Sequence, residues 1–371
     1  MTRETTLLVL CVLALTGFGL LMVYSTGAVE DSIPWRTQCL YAVAGLVVMF
    51  VASRFDYHRL RDGLIYRGLA LVSVALLLCV LFIGREVDGA QRWLELGPLR
   101  FQPAELARFA LVVLLAVKLT ENRDVAHTFF GGFAPPLIMA AVFTGLVVLE
   151  RDLGIPAIMM GVSMVMMCAA GIRWRYLVGC VALVGAAGTG LILTYPHRVQ
   201  RFVTFLDPWV DPRASGYQLI QSLSAFAQGG AFGRGAGASE QKLGYLPAAH
   251  TDFIFAVAGE EFGLVGTLAL VALYAALLFA ALRIAMHAAD FFGMLLATGL
   301  GTLVALQAAL IMAVNVGLLP TKGLPLPFIS FGGTALIMFL GMMGVLVNIG
   351  SQAIPPEPAA RRPVAAAGST S

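Results

Sequence analysis

The chain is long, apolar and weakly charged: 371 residues, of which 59% are hydrophobic and 12% charged, with a net charge of +3. A soluble domain carries about a quarter charged residues, so half that share excludes an ordinary water-soluble protein. The small, dispersed net charge also argues against nucleic-acid binding. We therefore predict an all-α, polytopic integral membrane protein.

Hydrophobic runs close to the ~20 residues that span a bilayer recur along the sequence. They predict about ten transmembrane helices, at 7–25, 38–52, 64–83, 103–119, 133–149, 155–172, 176–195, 252–282, 291–318 and 328–350. No small-residue cleavage site follows the first run, which is therefore predicted to be a span and not a removed signal. The five cysteines all lie in apolar runs, and their spacing indicates neither a disulfide framework nor a metal site.

Lysine and arginine counts predict the orientation of these spans. An even number of spans places both termini on one side of the membrane. If that side is cytoplasmic, the inner segments carry twelve basic and seven acidic residues, which leaves twelve basic and fourteen acidic residues for the outer side. The short basic segment "SRFDYHRLRDGLIYR" at 53–67 agrees with this choice. Both termini are predicted to be cytoplasmic.

Two predicted outer connections are longer than the others. One is 84–102, and the other is a large extracytoplasmic loop at 196–251, between helices 7 and 8. Loops of this length in a compact bundle tend to be functional. Residues 1–350 are predicted to form one transmembrane domain, and the Pro- and Ala-rich residues 351–371 a disordered cytoplasmic tail. The glycine-rich "GRGAGAS" at 233–239 follows no predicted strand and indicates a flexible loop, not a nucleotide site.

Ionisable residues gather at the predicted outer ends of the spans, where they are costly unless they face a cavity or a partner. Glu105 and Arg108 begin the fourth span, and Glu150 to Asp152 follow the fifth. Functional groups of a site are one explanation for them. Because Glu105 and Arg108 are three residues apart, a structural ion pair between the two is an equally open alternative.

Asp252 opens the eighth span and is the most informative of these residues. Small residues follow it on one helical face, at Ala256, Gly259, Gly263 and Gly266, so that a lipid chain or a neighbouring helix could lie close to it. Its alternative role is helix N-capping, although Thr251 could also cap. Glu260 and Glu261 project about 80° and about 180° away from Asp252, so they cannot both serve the same site.

Four stretches carry a resemblance to a known family: "GAQRWLELGPLRFQPAE" (89–105), "RFVTFLDPW" (201–209), "YLPAAHTDFIFAVAGEEFG" (245–263) and "NVGLLPTKGLPLPFISFGG" (315–333). Together they resemble the SEDS family, the shape, elongation, division and sporulation proteins of bacterial cell-wall synthesis, and more closely its division members. The sequence departs from the family's usual residues at Ala104, at Glu150–Arg151 and at Gly244, which leaves the details of substrate contact open.

The resemblance implies a peptidoglycan glycosyltransferase that polymerises lipid II at the outer face of the cytoplasmic membrane, during septal synthesis. A general base must take the proton of the acceptor hydroxyl, and Asp252 is the predicted catalytic residue. The predicted substrate-binding residues are Arg92, Trp93, Gln102, Glu105, Arg108, Lys242, His250, Lys322 and Ser330. A divalent cation, Mg²⁺ or Mn²⁺, could share the pyrophosphate charge, but no ligand set in the sequence identifies one.

The resemblance also implies partners: a single-span class B penicillin-binding transpeptidase and other divisome proteins at the septum. Three alternatives stay open: a lipid II flippase or other transporter, a scaffold for a partner synthase, and an elongation polymerase of the same family. Transporter sites lie near the bilayer midplane between repeated halves. We find no internal repeat, and the ionisable residues cluster at the outer ends of the spans, which favours an enzyme.

Overall fold

The computed structural model describes residues 2–27, 35–87, 90–96, 99–151, 153–194, 196–214 and 216–353. In these parts of the chain the α-helices are α1 (Arg3–Gly27), α2 (Trp35–Arg54), α3 (Gly63–Ile83), α4 (Pro103–Glu121), α5 (Ala134–Leu149), α6 (Gly154–Ala169), α7 (Trp174–Leu193), α8 (Pro196–Leu206), α9 (Tyr217–Gly229), α10 (Ile254–Met286), α11 (Phe291–Asn315) and α12 (Gly333–Ser351). Residues 354–371, most of the predicted tail, lie outside the described residues.

Each of the ten predicted spans overlaps one helix of the described chain. Seven helical segments there are long and apolar enough to cross a membrane, judged by length and composition: Arg3–Gly27, Trp35–Arg54, Gly63–Ile83, Phe129–Leu149, Ile254–Met286, Phe291–Asn315 and Gly333–Ser351. The prediction of a helical, polytopic membrane protein is confirmed.

Helix α4 is not among these seven segments, because it contains four charged residues. It is nevertheless buried on nearly all sides. Fourteen of its 19 residues are buried, including Glu105 and Arg108. A helix that is enclosed on every face belongs to the centre of a bundle. The fourth predicted span is therefore a core helix that holds two charges away from lipid.

The segment 84–102, predicted to be a loop, folds into a small antiparallel sheet. Its strands are β1 (Arg85–Val87), β2 (Ala90–Leu96) and β3 (Leu99–Phe101), in the order β1-β2-β3. The Glu95 carboxylate accepts a hydrogen bond from Arg85 at 2.7 Å and lies 3.4 Å from Arg100, so charges pair across both strand contacts. This sheet, which the sequence analysis did not predict, carries Arg92 and Trp93 on β2.

The large loop 196–251 is also more regular than predicted, because it contains α8 and α9. Between them Asp207 caps a short 3₁₀ turn, its carboxylate accepting from the Trp209 amide at 3.0 Å. Ser222 on α9 donates its hydroxyl to the carbonyl of Asn315 at 2.7 Å, which attaches the loop to the end of α11.

Helix α10 is broken at Gly263, whose φ of 66° and ψ of −164° suit glycine alone. The break separates a short helix, 254–262, from a long one, 264–286. Segment 229–235 of the large loop bonds to the broken backbone: the amides of Arg234 and Gly235 donate to the carbonyls of Glu260 and Glu261, both at 3.0 Å. In return the amide of Leu264 donates to the Gly230 carbonyl at 2.9 Å. The predicted span 252–282 is thus a discontinuous helix, a form allowed in a membrane when other groups satisfy its backbone.

Residues 323–332, which we call the re-entrant segment, descend into the bundle between α11 and α12. The Gln307 amide donates to the carbonyl of Pro325 at 2.8 Å, and the Tyr274 hydroxyl donates to that of Pro327. Gln307 lies eight residues before the end of α11, so the segment reaches about 12 Å below that end. The last predicted span, 328–350, therefore begins later than expected, because helix α12 starts only at Gly333.

Candidate active site

Asp252 lies where the end of α11, the beginning of α10 and the re-entrant segment meet. A tight turn precedes it, in which the Ala248 carbonyl accepts from the amides of Thr251, Asp252 and Phe253 at 3.1, 3.1 and 3.2 Å. Ala248 has a φ of 56°, a strained conformation for a residue with a side chain and one that tends to occur at functional sites. Phe253 holds the capping position of α10, so Asp252 does not take the N-cap position that was its alternative role.

The re-entrant segment begins against the Asp252 carboxylate. A Cβ atom added to Gly323 would lie only 3.1 Å from Asp252 Oδ2. Gly323 follows Lys322 directly, and both Asp252 and Lys322 are half-buried. Two motifs about 70 residues apart in the sequence therefore meet at one carboxylate, with a lysine in the next position of the chain.

Ser330 and His250 connect the same two segments. The Ser330 hydroxyl accepts from the Leu326 amide at 2.7 Å and donates to the Thr251 carbonyl at 2.5 Å. The Phe331 amide donates to the carbonyl of His250 at 3.0 Å. The Ser330 side chain is buried and has two protein partners, so its direct effect is to hold the re-entrant segment against the turn before α10. A substrate contact by Ser330 or His250 stays a prediction.

Gln38 of α2 supports this connection from a third side. Its side-chain amide donates to the Ser330 carbonyl at 3.2 Å and accepts from the Gly332 amide at 3.4 Å. The glutamine is 1% exposed, and a buried amide of this kind is expected to be fully hydrogen-bonded. The sequence analysis did not single out Gln38, since one amide at the start of an apolar run gives no signal of its distant partners.

Glu105 and Arg108 form an ion pair inside the bundle, and their side chains are 1% and 0% exposed. Arg108 also donates to the side-chain oxygen of Gln307, and Gln307 in turn donates to the carbonyl of Pro325. The structure therefore contains the ion pair between Glu105 and Arg108 that the sequence analysis left open as an alternative to a functional role. The pair begins a line of contacts from α4 to the re-entrant segment, and its predicted contact with substrate stays untested.

Lys242 holds the large loop to the helices. Its ammonium group donates to the Ser25 hydroxyl and the Gly237 carbonyl, each at 2.7 Å, and to the Glu261 carboxylate at 2.9 Å. These are all three donors of a lysine, and the side chain is 5% exposed. The predicted pyrophosphate contact of Lys242 stays a prediction, but in this structure the ammonium is fully occupied by protein.

Glu260, the residue before Glu261, binds the same loop. Its fully buried carboxylate accepts from the Ser239 hydroxyl and from the amides of Glu240 and Gln241, at 2.9 and 3.2 Å. Arg234 lies 3.4 Å away and also pairs with Glu240 at 2.6 Å, which lowers the pKa of the exposed Glu240 carboxyl. The two glutamates that follow Asp252 therefore fasten the same stretch of the large loop, 239–242.

The remaining predicted residues lie on or beside the small sheet. Arg92 on β2 donates to the Arg151 carbonyl at 3.1 Å, which joins the sheet to the connection between α5 and α6. Trp93 is half-buried on the same strand, and Gln102 is buried immediately before α4, where its side chain makes no capping bond. Asp152 lies outside the described residues. The described residues include no group of three or more His, Cys, Asp or Glu able to hold a metal ion, so no ligands for Mg²⁺ or Mn²⁺ can be named.

The fold and the site define a class: a polytopic membrane protein with a half-buried carboxylate at the junction of a broken helix and a re-entrant segment. Residues 5–354 match the family model described as "Cell cycle protein", the FtsW/RodA/SpoVE family. The chain belongs to this family. The resemblance to SEDS proteins that the motifs carried is thereby confirmed.

Two relatives show the extent of the similarity. The chain is 39% identical to "Probable peptidoglycan glycosyltransferase FtsW" of Geobacter metallireducens, over 94% of this chain and 95% of that protein. It is 37% identical to "Stage V sporulation protein E" of Bacillus subtilis, over 94% and 97%.

Two solved structures share the fold. One is a protein chain from a structure described as "Structural coordination of polymerization and crosslinking by a peptidoglycan synthase complex". Its TM-score is 0.79 and its identity 31%, and the match covers 93% of this chain and 96% of that one. The other is the rod shape determining protein RodA of Thermus thermophilus, with a TM-score of 0.70, 28% identity, and coverage of 94% and 97%.

Proposed function

We propose that this protein is a peptidoglycan glycosyltransferase that polymerises lipid II into glycan strands, and that it acts in septal wall synthesis. The observation that carries the proposal is the placement of the Asp252 carboxylate against Gly323, beside Lys322, in a family whose relatives are named for this activity. Lipid II is a disaccharide-pentapeptide on undecaprenyl pyrophosphate. Its sugars stay at the membrane surface, which is where a base that follows the turn before α10 and adjoins the end of α11 would meet them.

The reaction needs a base and a leaving group. Asp252 accepts the proton of the acceptor GlcNAc hydroxyl while the oxygen attacks the anomeric carbon of the lipid-linked donor. The bond from that carbon to the pyrophosphate oxygen breaks, and undecaprenyl pyrophosphate leaves with the electron pair. Because pyrophosphate is already a good leaving group, one carboxylate with nearby cations suffices. Lys322, which directly precedes the Gly323 that lies against Asp252, is the first candidate for this cation, and Arg92 is a second.

The orientation and the partners belong to the same proposal. We infer that the end of the bundle with Asp252 faces the outside of the cytoplasmic membrane, that both termini are cytoplasmic, and that the protein works at the septum. A class B penicillin-binding transpeptidase is the proposed partner, together with other divisome proteins. A similar chain was solved in work on a synthase complex that coordinates polymerisation and crosslinking, which supports such a pairing.

The test of the base is Asp252→Asn in purified protein reconstituted into liposomes with lipid II. We expect glycan polymerisation to be lost, since the amide keeps the shape of the side chain but accepts no proton. Thr298→Ala is a matched control, because Thr298 is buried in α11 and its hydroxyl bonds only within that helix, to the Met294 carbonyl at 2.8 Å. Near wild-type polymerisation by a monodisperse Asp252→Asn protein would contradict the assignment of Asp252.

Lys322→Ala tests the cation beside the base. Loss of one charge-assisted contact costs about 1.5–3 kcal/mol, so turnover at limiting lipid II should fall roughly ten- to a hundredfold. Arg213→Ala is its control, since Arg213 is an exposed cation of the large loop. Equal kinetics in the Lys322 and Arg213 variants would remove Lys322 from the site.

The transporter alternative is tested in the same liposomes by lipid II scrambling. A transporter would move lipid II between leaflets without making glycan, and that movement would depend little on the basicity of Asp252. Scrambling without polymerisation would refute the proposed enzyme.

A further inference from the structure

Asn315, the last residue of α11, is fully buried, yet the site described above gives it no chemical part. Burial of an amide is costly unless its donors and acceptor are bonded. The Asn315 side chain satisfies this condition with three bonds. Its nitrogen donates to the Asp252 carbonyl at 2.9 Å and to the Ile311 carbonyl at 3.0 Å, and its oxygen accepts from the Ala256 amide at 3.1 Å.

These bonds fix the beginning of α10 from a different helix. The first turn of a helix has amides without i−4 partners, and Ala256 lies in that turn, where its amide donates to the Phe253 carbonyl at 3.0 Å. Phe253, at the capping position, has no side-chain oxygen to offer them. Asn315 supplies the Ala256 amide with a second acceptor, from across the interface, and at the same time donates to the carbonyl of Asp252. The Asn315 side chain thus bonds to the backbone on both sides of Phe253, at Asp252 and at Ala256.

We propose that Asn315 is a positioning residue for the Asp252 base. This inference rests on the proposed function. The three bonds need two donors and one acceptor in one side chain; a serine or threonine hydroxyl has a single donor, whereas the asparagine amide carries both N–H groups and the oxygen. The residue also begins the "NVGLLPTKG" stretch that leads to Lys322, so one side chain fixes the base while its own backbone leads to the neighbouring cation.

The expected consequence is kinetic. Asn315 is fully buried and its side-chain amide is occupied by three backbone groups, so its loss should leave the affinity for lipid II largely unchanged. The carboxylate, however, would lose its fixed place relative to the acceptor hydroxyl. A misplacement of about 1 Å costs roughly a hundredfold in rate. We expect Asn315→Ala to lower kcat by about ten- to a hundredfold and to change KM by less than about threefold.

Asn315→Asp is the sharper variant, because it keeps the size of the side chain and the oxygen that accepts from Ala256. It replaces the donor to the Asp252 carbonyl by an oxygen, which restores a donor only when the new carboxyl is protonated. The ratio of variant to wild-type kcat should therefore be lowest near pH 8 and should rise toward pH 6. A role confined to helix packing would lower the thermal midpoint as the buried carboxyl ionises without this selective loss of kcat at unchanged KM.

The experiment compares wild type, Asn315→Ala, Asn315→Asp and Thr298→Ala, each as monodisperse full-length protein in liposomes with lipid II, over this pH range. Thr298→Ala, a buried polar substitution on the same helix, should stay within about twofold of wild type at every pH. If Asn315→Ala does not stay monodisperse, Asn315→Asp alone decides. Wild-type kcat in the Asn315→Asp variant, or a pH-independent loss with raised KM, would overturn the positioning role while Asp252→Asn stays inactive. Absence of polymerisation by wild type would overturn the proposed function itself, and this inference with it.

Discussion

Gly263→Ala tests the break in α10 on which the site depends. Residues other than glycine hardly occupy its conformation, and such backbone strain costs about 1–3 kcal/mol. A Cβ at this position would also lie 2.7 Å from the carbonyl carbon and oxygen of Ala231, and closer still to the amide nitrogen of Gly233. Forcing a methyl group into a packed position costs about a further 1–3 kcal/mol. We expect the free energy of unfolding to fall by about 2–6 kcal/mol.

Thermal unfolding of the purified protein in detergent measures this change, followed by loss of the monodisperse species. We expect the midpoint to fall by about 3–8 °C, at about 1.3 °C for each kcal/mol in a chain of this length. Polymerisation should fall as well, because the short helix 254–262 continues directly from Asp252. The matched control is Gly185→Ala in α7, where an added Cβ meets no atom within 4 Å and alanine favours the helix by about 1 kcal/mol.

An unchanged midpoint in Gly263→Ala, with Gly185→Ala equal to or more stable than wild type, would refute this reasoning. It would mean that α10 continues through position 263 as a regular helix. The hydrogen bonds between segment 229–235 and the helix would then be absent, and the large loop would need another attachment.

The buried charges give two further predictions. Glu105→Leu leaves the Arg108 guanidinium without its carboxylate and should lower the free energy of unfolding by about 3–5 kcal/mol, measured as a lower thermal midpoint. Adding Arg108→Met should recover most of this loss. A double variant no more stable than Glu105→Leu would contradict the pairing. Lys242→Met leaves the Glu261 carboxylate uncompensated and should release the large loop, seen as faster limited proteolysis within 230–250. Arg213→Ala, at an exposed position of the same loop, should leave cleavage unchanged, and equal cleavage of both variants would argue against Lys242 as the attachment.

The transmembrane helices could be predicted because their signal is local. A run of about 20 apolar residues is stable in lipid as a helix whatever surrounds it, and each predicted span overlaps a helix. Asp252 was found for a related reason, since a carboxylate at the mouth of such a run is costly and calls for an explanation. The family resemblance then supplied the chemistry.

The irregular parts could not be predicted in the same way, because they depend on distant side chains. The re-entrant segment is as apolar as a span, and it is the bonds from Gln307 and Tyr274 that hold it outside a helix. Pro325 and Pro327 were a usable signal, since proline interrupts helices. Asn315 was missed because one asparagine at the end of an apolar run resembles an ordinary terminus. The sheet at 84–102 was missed because two of its three strands have only three residues, too few for a clear alternation.

The hydrogen bonds around the re-entrant segment have a consequence for biogenesis. Gln38 and Ser330 are 292 residues apart in the chain, and Ser25 and Glu261 are 236 apart. Ser330 leaves the ribosome only when nearly the whole polypeptide has been made, so until then Gln38 is in place without this partner. The junction at Asp252 can therefore be complete only after the re-entrant segment has entered the bundle. A chain that ends between Asp252 and Ser330 carries the proposed base and yet lacks the contacts that hold it.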